Sequence, residues 1–232
     1  MELYERAIAR GLDAERLGHS LAAASRKHTS RAPDPWVRAT FDDFAPTFDT
    51  RLRALGYEAP QRLATMLQSR TVAALDILDL GCGTGQCGLA LLQRKGHLVG
   101  VDLSEKMLVQ ARAHSIYDEL HLGEIYAWLC GAATARFDAV IAADVFVYVG
   151  ALEALFCEVA RVLRTGGWFA FSTEECEVAD YTLLPTGRYA QSQSYIVRLA
   201  QTAFAVIDAS AVTIRKESGT PLAGRLYLLR KR

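Results

Sequence analysis

The segment Leu75-Asp76-Ile77-Leu78-Asp79-Leu80-Gly81-Cys82-Gly83-Thr84-Gly85-Gln86-Cys87-Gly88 constrains the fold of this chain more than any other. An apolar run of strand length ends in closely spaced glycines and leads into a helix-forming stretch. Glycine reaches backbone conformations closed to other residues, so such a strand-to-helix turn lets the main chain approach a ligand closely. The pattern then recurs. Strand candidates are Leu75–Leu80, Leu98–Val101, Glu119–Leu122, Phe137–Ala142 and Trp168–Ser172, separated by helical candidates Cys87–Lys95, Glu105–His114, Ile125–Cys130 and Leu152–Leu163. This alternation predicts a parallel sheet wound on both faces, because parallel neighbours need crossover connections.

After Ser172 the order changes. Tyr195–Phe204 reads as a helix, while Ala205–Ile214 and Arg225–Arg230 read as strands joined through Gly219-Thr220-Pro221, a hairpin adding antiparallel strands at one edge. Ahead of Ala74 the chain is helical. Leu3, Ile8, Leu12, Leu17 and Leu21 recur at near-helical spacing; Ser25 to Pro35 is a basic, proline-containing linker; Phe41, Phe44 and Phe48 form an aromatic stripe; and Leu63, Met66 and Leu67 suggest a further helix. The expected architecture is a doubly wound α/β domain with a mostly parallel seven-stranded sheet, residues 36–232, preceded by an N-terminal helical segment and linker, residues 1–35.

Composition narrows the function. With 51% hydrophobic and 22% charged residues the 232-residue chain is that of a packed globular protein. Its 26 basic and 26 acidic residues give no general attraction to nucleic acid or to an anionic membrane. The five cysteines, Cys82, Cys87, Cys130, Cys157 and Cys176, form no Cys-x-x-Cys pair and have no histidine at zinc-ligand spacing, so a disulfide scaffold and a zinc site are both disfavoured. The N-terminus lacks a basic segment followed by an apolar core, and the longest apolar stretch, Ala139 to Val149, is broken by Asp144. The expectation is a reduced, cytoplasmic protein.

Two ligands compete for the glycine loop. Gly83-x-Gly85-x-x-Gly88 fits the dinucleotide fingerprint, and Asp102 lies about twenty residues further on, as a ribose-binding acid should. Asp79 separates the readings. A carboxylate just before Gly81 would face a pyrophosphate unfavourably, whereas it suits a ligand carrying an ammonium and a sulfonium, as S-adenosylmethionine does. In that reading Asp79 organises the loop near the amino acid moiety, Gly81 and Gly83 allow backbone approach, and Asp102 accepts hydrogen bonds from the ribose hydroxyls.

Here the chain resembles the class I S-adenosylmethionine-dependent methyltransferases, across roughly Phe41 to Arg230. Asp102-Leu103-Ser104-Glu105-Lys106-Met107-Leu108 is similar to the family's ribose-binding strand end, which implies Leu103 and Met107 beside the adenine. Gly123-Glu124-Ile125 is similar to the loop after the third strand, implying Glu124 as partner of the adenine amino group and Ile125 as ring packing. Phe137 to Phe146 resembles the fourth strand, with Asp144 near the ligand, and Val162 to Ser172 the turn and fifth strand. The resemblance also assigns Cys82, Val145 and Phe48 to the cofactor site. It is closest to small bacterial methyltransferases associated with tetratricopeptide repeats, on Phe41 to Asp49 and Leu184 to Tyr189. The implied activity is methyl transfer from S-adenosyl-L-methionine to the O, N or C atom of a small molecule. The alternative is a noncatalytic module that binds the cofactor, or binds a partner through the N-terminal helices.

Candidates for a general base are Asp144, His121, Tyr181 and Tyr189. Phe41, Phe44 and Phe48 can form a lid over a sulfonium, since ring faces attract cations, or pack into the core. Phe44, Tyr181, Arg188 and Tyr189 are candidate substrate contacts, with Tyr195 close by in sequence and Arg188 available for a substrate carboxylate or phosphate. Cys82 and Cys87 read as small loop or core side chains, and His97 and His114 as solvated.

Overall fold

A computed structural model describes Ala14 to Arg232 except positions 26, 28, 178 and 218. The N-terminal periodicity before Ala14 lies outside the described residues. Helices α1 (Ala14–Ala24), α2 (Asp34–Phe44), α3 (Phe48–Ala54) and α4 (Ala59–Gln68) precede the sheet. Strands β1 (Leu75–Leu80), β2 (Lys95–Asp102), β3 (Glu119–Leu122), β4 (Phe137–Ala142) and β5 (Leu163–Glu175) then alternate with helices α5 (Gln86–Leu91), α6 (Glu105–Ala113), α7 (Ile125–Gly131) and α8 (Glu153–Val162). The chain closes with β6 (Tyr181–Leu183), β7 (Tyr189–Gln191), α9 (Gln193–Ala200), β8 (Phe204–Glu217) and β9 (Thr220–Lys231).

The expected alternation is present, with shifted ends. Lys95 and His97 belong to β2, so the helix expected to reach Lys95 gives way to a 3-10 turn at Leu92–Arg94. Phe204, expected to end a helix, instead opens β8. The aromatic stripe spans two helices, broken by the 3-10 turn Ala45–Thr47 around Pro46, whose ring excludes a helical hydrogen bond.

Strands β2, β3, β4 and β5 run parallel to their neighbours around β1, and β9 pairs antiparallel with both β5 and β8. Trp168 to Phe171 of β5 pair with β4 on one edge and β9 on the other. Seven strands therefore run β3-β2-β1-β4-β5-β9-β8. Glu174 pairs with both Gly224 and Ala190, so β7 extends the β4 edge beyond the end of β4, and β6 pairs with β7. This hairpin brings the sheet to nine strands against the seven expected.

Alternation along each strand supplies two cores. Leu78, Val99, Val140 and Phe169 pack with residues of α7, α8 and α9 on one face. Ile77, Leu98, Ile141 and Ala170 pack with Leu63 and Leu67 of α4 and Leu91 of α5 on the other. A third, smaller core joins Ala22 and Ala23 of α1 and Val37 of α2 to Leu183 and Tyr189 of the hairpin. The stretch expected as a linker is pinned there. Ala32 N donates to Tyr148 O at 2.9 Å, and Gly150 N donates to Ser30 O at 2.8 Å. The helical cap is thus anchored across the C-terminal ends of β1 and β4, where the strand order reverses.

Candidate active site

The turn after β1 is built on three left-handed glycines, Gly81 (φ +64°), Gly83 (φ +54°) and Gly85 (φ +96°). They have different reasons to be glycine. A Cβ on Gly81 would stand 2.6 Å from the Val145 Cγ2 methyl, whereas one on Gly83 would meet nothing closer than Phe48 Cε1 at 3.9 Å. Gly83 therefore answers to backbone conformation alone, and the space in front of it is open.

Asp102, at the end of β2, is 8% exposed. Its Oδ2 accepts the Gly83 N–H and its Oδ1 the Ser104 N–H, each at 2.8 Å. Each oxygen keeps a further lone pair for a ligand. Burial raises the Asp102 carboxyl, and these N–H donors pull against it. The carboxylate thus ties the glycine loop to β2 as well as facing the cavity.

Asp79 takes a different place from the one expected. It is 1% exposed and lies on the face of β1 that carries Ile77, behind the loop. Its Oδ2 accepts the Tyr117 hydroxyl at 2.7 Å, and its buried Oδ1 has no partner among the described residues. Burial pushes its carboxyl up to about 7. Asp79 does not line the cavity, so its influence passes through the loop above it.

One cavity of about 350 Å³ begins at this loop. Gly81, Cys82, Gly83, Asp102, Leu103, Glu124, Ile125, Asp144 and Val145 line it from the sheet side, and Phe41, Phe44 and Phe48 line it from the helical cap. The cap is fastened to the loop by polar side chains. Thr84 Oγ1 donates to Asp49 Oδ1 at 2.6 Å, Ser104 Oγ donates to Asp42 Oδ1 at 2.5 Å, and Arg38 Nε donates to Leu103 O at 3.3 Å. Phe41 packs edge-on against Phe48 and Tyr148, with centroids 6.0 and 5.3 Å apart. Glu124 lines the cavity while its carboxylate caps α7, accepting from Tyr126 N and Ala127 N at 3.0 and 2.8 Å.

Tyr57, Tyr148, Arg188, Arg215 and Glu217 also line the cavity, with Asp144 at the centre of their charges. Asp144 follows β4 with φ +60°, unusual for a side-chain-bearing residue, and donates its N–H to Ser172 Oγ at 2.8 Å. Its Oδ2 accepts from Arg215 Nη1 at 2.7 Å. Arg215 also binds Glu174 Oε1 through Nη2 at 3.0 Å and Glu217 Oε1 through Nε at 2.9 Å. Arg188 spans Glu174 at 2.5 Å and Glu217 at 2.8 Å. Burial raises the Glu174 carboxyl against both arginines. It also raises the Tyr57 and Tyr148 phenols, which keep their protons at neutral pH.

Several expected site residues lie elsewhere. Met107 is fully buried under α6. His121 sits on β3, where its Nε2 meets Glu119 Oε2 at 3.0 Å and its ring lies 5.3 Å from Trp128. Residues two apart on a strand share a face, which is why Glu119 captures it. Tyr189 is buried, with its hydroxyl 2.5 Å from Thr29 Oγ1. Tyr181 packs against Tyr189 and Tyr195, and the Tyr195 hydroxyl accepts Leu152 N–H at 2.8 Å. None of Met107, His121, Tyr181, Tyr189 and Tyr195 lines the cavity. Arg188 does line it, but two carboxylates occupy its guanidinium, so the free cation expected for a substrate acid is not there. Sequence reasoning missed Tyr57, Tyr148, Arg215 and Glu217. Arg215 carried a readable signal, a charge following the apolar Val212-Thr213-Ile214 of a strand.

Comparison with known proteins agrees with this geometry. Residues 77–167 match a family model described as a methyltransferase domain. The chain is 32% identical over 146 residues to a ubiquinone biosynthesis O-methyltransferase of Thiobacillus denitrificans, covering 60% of each. It is 36% identical over 140 residues to a malonyl-[acyl-carrier protein] O-methyltransferase of Legionella pneumophila, covering 59% of this chain and 49% of that one. The chain thus spans three fifths or less of the length of these curated relatives. Among solved structures, the 1,6-didemethyltoxoflavin-N1-methyltransferase of Burkholderia thailandensis, with S-adenosylhomocysteine bound, superposes with a TM-score of 0.66 at 18% identity, over 88% of this chain and 92% of that one. Residues 77–167 are therefore similar to a methyltransferase domain, within a chain that has the mostly parallel α/β fold of a solved methyltransferase.

Proposed function

We propose that this chain transfers the methyl group of S-adenosylmethionine to a small-molecule acceptor. The observation that carries the proposal is a single cavity running from the left-handed glycines and Asp102 to the polar cluster around Asp144. The residues fit the cofactor. Asp102 keeps lone pairs for ribose hydroxyls, Leu103, Glu124 and Ile125 line the cavity where the adenine would lie, and the open space before Gly83 would admit the amino acid moiety. The orphaned Asp79 oxygen beneath the loop favours a cation above it.

Bound there, the cofactor supplies an activated methyl group, which leaves alignment as the protein's task. Phe41, Phe44 and Phe48 exclude water from one side and offer ring faces to positive charge. Asp144, Tyr57 and Tyr148 line the same cavity, where they would orient the acceptor. Asp144 is the sole general-base candidate from the sequence that borders the cavity.

The zero formal charge fits a small molecule better than a nucleic acid. The same reading places the protein in the reducing cytoplasm, consistent with five free thiols. No helix among the described residues is long and apolar enough to cross a membrane. Helix α1 would act as part of the cap, and the stretches Phe41 to Asp49 and Leu184 to Tyr189 are what supports kinship with repeat-associated methyltransferases.

The test is titration calorimetry with S-adenosylhomocysteine and NADH, followed by S-adenosylhomocysteine release from S-adenosylmethionine across a metabolite panel. Binding of S-adenosylhomocysteine without NADH binding, and turnover with at least one acceptor, is expected. Preference for NADH would overturn the cofactor, and binding without any turnover would favour the noncatalytic module.

A further inference from the structure

The charges around Asp144, in the cavity wall and directly behind it, do not balance. Two guanidiniums, Arg188 and Arg215, face three carboxylates, Asp144, Glu174 and Glu217, all within 3.0 Å hydrogen bonds. Arg215 is 5% exposed and spends all three of its nitrogens on those carboxylates. Arg188 spends two of its three on the same acids. Glu174, 1% exposed, has one oxygen, Oε2, that no donor reaches among the described residues.

An acceptor carrying a carboxylate or phosphate would find one arginine nitrogen left to it, on Arg188, in surroundings where three carboxylates already face two guanidiniums. A cation completes the count. The neighbouring rings work in the same direction, since Tyr57, Tyr148 and Phe41 border the same space and aromatic faces attract cations. The two other arginines along the cavity do not reverse this. Arg31 is paired with Asp34 and approaches Glu124 at 3.8 Å, and the exposed Arg51 lies 5.2 Å over the Phe44 ring on the helical rim.

We propose that the acceptor is an aromatic or apolar molecule bearing a basic nitrogen, which Asp144 and Glu217 on the cavity wall, backed by the buried Glu174, recognise as a cation, and that the same network rejects acidic acceptors. This rests on the methyltransferase reading and specifies its substrate class. It would separate this chain from relatives whose names describe acidic acceptors, such as the malonyl-[acyl-carrier protein] enzyme.

The test uses protein saturated with S-adenosylhomocysteine and matched probes that differ only in their head group. Benzylamine, benzamide and benzoate, with their indole and naphthalene counterparts, are titrated by calorimetry against wild type and Glu217→Gln. Glu217 is chosen because its side chain is 35% exposed, so the variant is expected to fold, which its melting temperature checks. On at least one ring scaffold the amine should bind at least about tenfold tighter than the carboxylate, with the amide between, and Glu217→Gln should shrink that gap several-fold. Equal or tighter binding of the carboxylates overturns the proposal, as does failure of every amine to bind a protein that holds S-adenosylhomocysteine. Failure to bind S-adenosylhomocysteine would instead overturn the underlying reading.

Discussion

Asp102→Ala tests the centre of the site, because the structure gives this residue two tasks. The sequence assigns it to the ribose alone. In the structure its two oxygens already accept the Gly83 and Ser104 N–H groups, both at 2.8 Å, in a setting where the carboxylate is 8% exposed and Ser104 is fully buried. Removing the carboxylate strands both donors. A buried donor left unpaired costs about 1–3 kcal/mol. The cavity gives water access to Gly83, so the pair together should cost about 2–4 kcal/mol, the lower part of the about 2–6 kcal/mol that two such donors imply. For a domain of this size about 1 kcal/mol shifts the melting temperature by about 2–4 °C, so the variant should melt about 4–16 °C lower. Total stabilities run to about 5–15 kcal/mol, so it should still fold at room temperature. The lost ribose contacts should weaken S-adenosylhomocysteine binding by at least about tenfold, since a charge-assisted hydrogen bond contributes about 1.5–3 kcal/mol. Asp102→Asn should not rescue either property, because the carboxamide would turn an N–H toward one of the two N–H donors. Differential scanning calorimetry and titration calorimetry on the same samples read the two effects separately. An unchanged melting temperature would refute the tether, and unchanged affinity would remove Asp102 from the ligand site.

Three further outcomes are expected. Burial lifts the Asp79 carboxyl from 3.8 to about 7, so the folded chain holds a proton that the unfolded chain has released; the stability this contributes is full below about pH 4 and is lost as pH rises through about 7. Between about pH 5 and about pH 8 the melting temperature of wild type should therefore fall more than that of Asp79→Asn, and parallel profiles would show that Asp79 is ionised throughout. Gly81→Ala should lose more stability in urea than Gly83→Ala, because both carry the left-handed cost of about 1–2 kcal/mol but only Gly81 adds a methyl 2.6 Å from Val145; equal losses would count against the packing argument. Arg215→Met should cost about 3–5 kcal/mol at pH 8 by taking the arginine from Asp144 and leaving Glu174 and Glu217 to Arg188 alone, and regain part of that at lower pH as the Glu174 carboxyl, raised by burial, takes up a proton, an effect to be read by urea unfolding at pH 8 and below.

Much of the fold was legible because it is written in local periodicity. Parallel strands buried on both faces read as apolar runs, and Leu75–Leu80 and Phe137–Ala142 have in the structure the bounds their runs suggest, as does the half-exposed edge strand Glu119–Leu122, where Leu120 and Leu122 alternate with Glu119 and His121. The hairpin Tyr181–Leu183 and Tyr189–Gln191 was not legible, since three residues per strand carry no period and the pairing depends on the projecting end of β5. The glycine loop and Asp102 could be found because both lie in one strand-turn-helix-strand unit. His121, Tyr181 and Tyr189 were attractive candidates by residue type, but whether a side chain reaches a cavity depends on what else its face of the strand touches.

By itself the sequence determined the βαβ alternation, the turn that needs glycine, and an acid at the end of the second strand. Each of these is a matter of backbone conformation or spacing within a few tens of residues. Only the tertiary structure decided the charged part of the cavity. Asp144 and Arg215 are 71 positions apart, Arg188 and Glu217 are 29 apart, and Tyr57 belongs to the helical cap. Nothing local relates them. They meet because β9 returns antiparallel along β5 and carries β8 with it, which sets the charged end of β8 beside the loop that follows β4, and a burial this deep makes each charge answer to its neighbours.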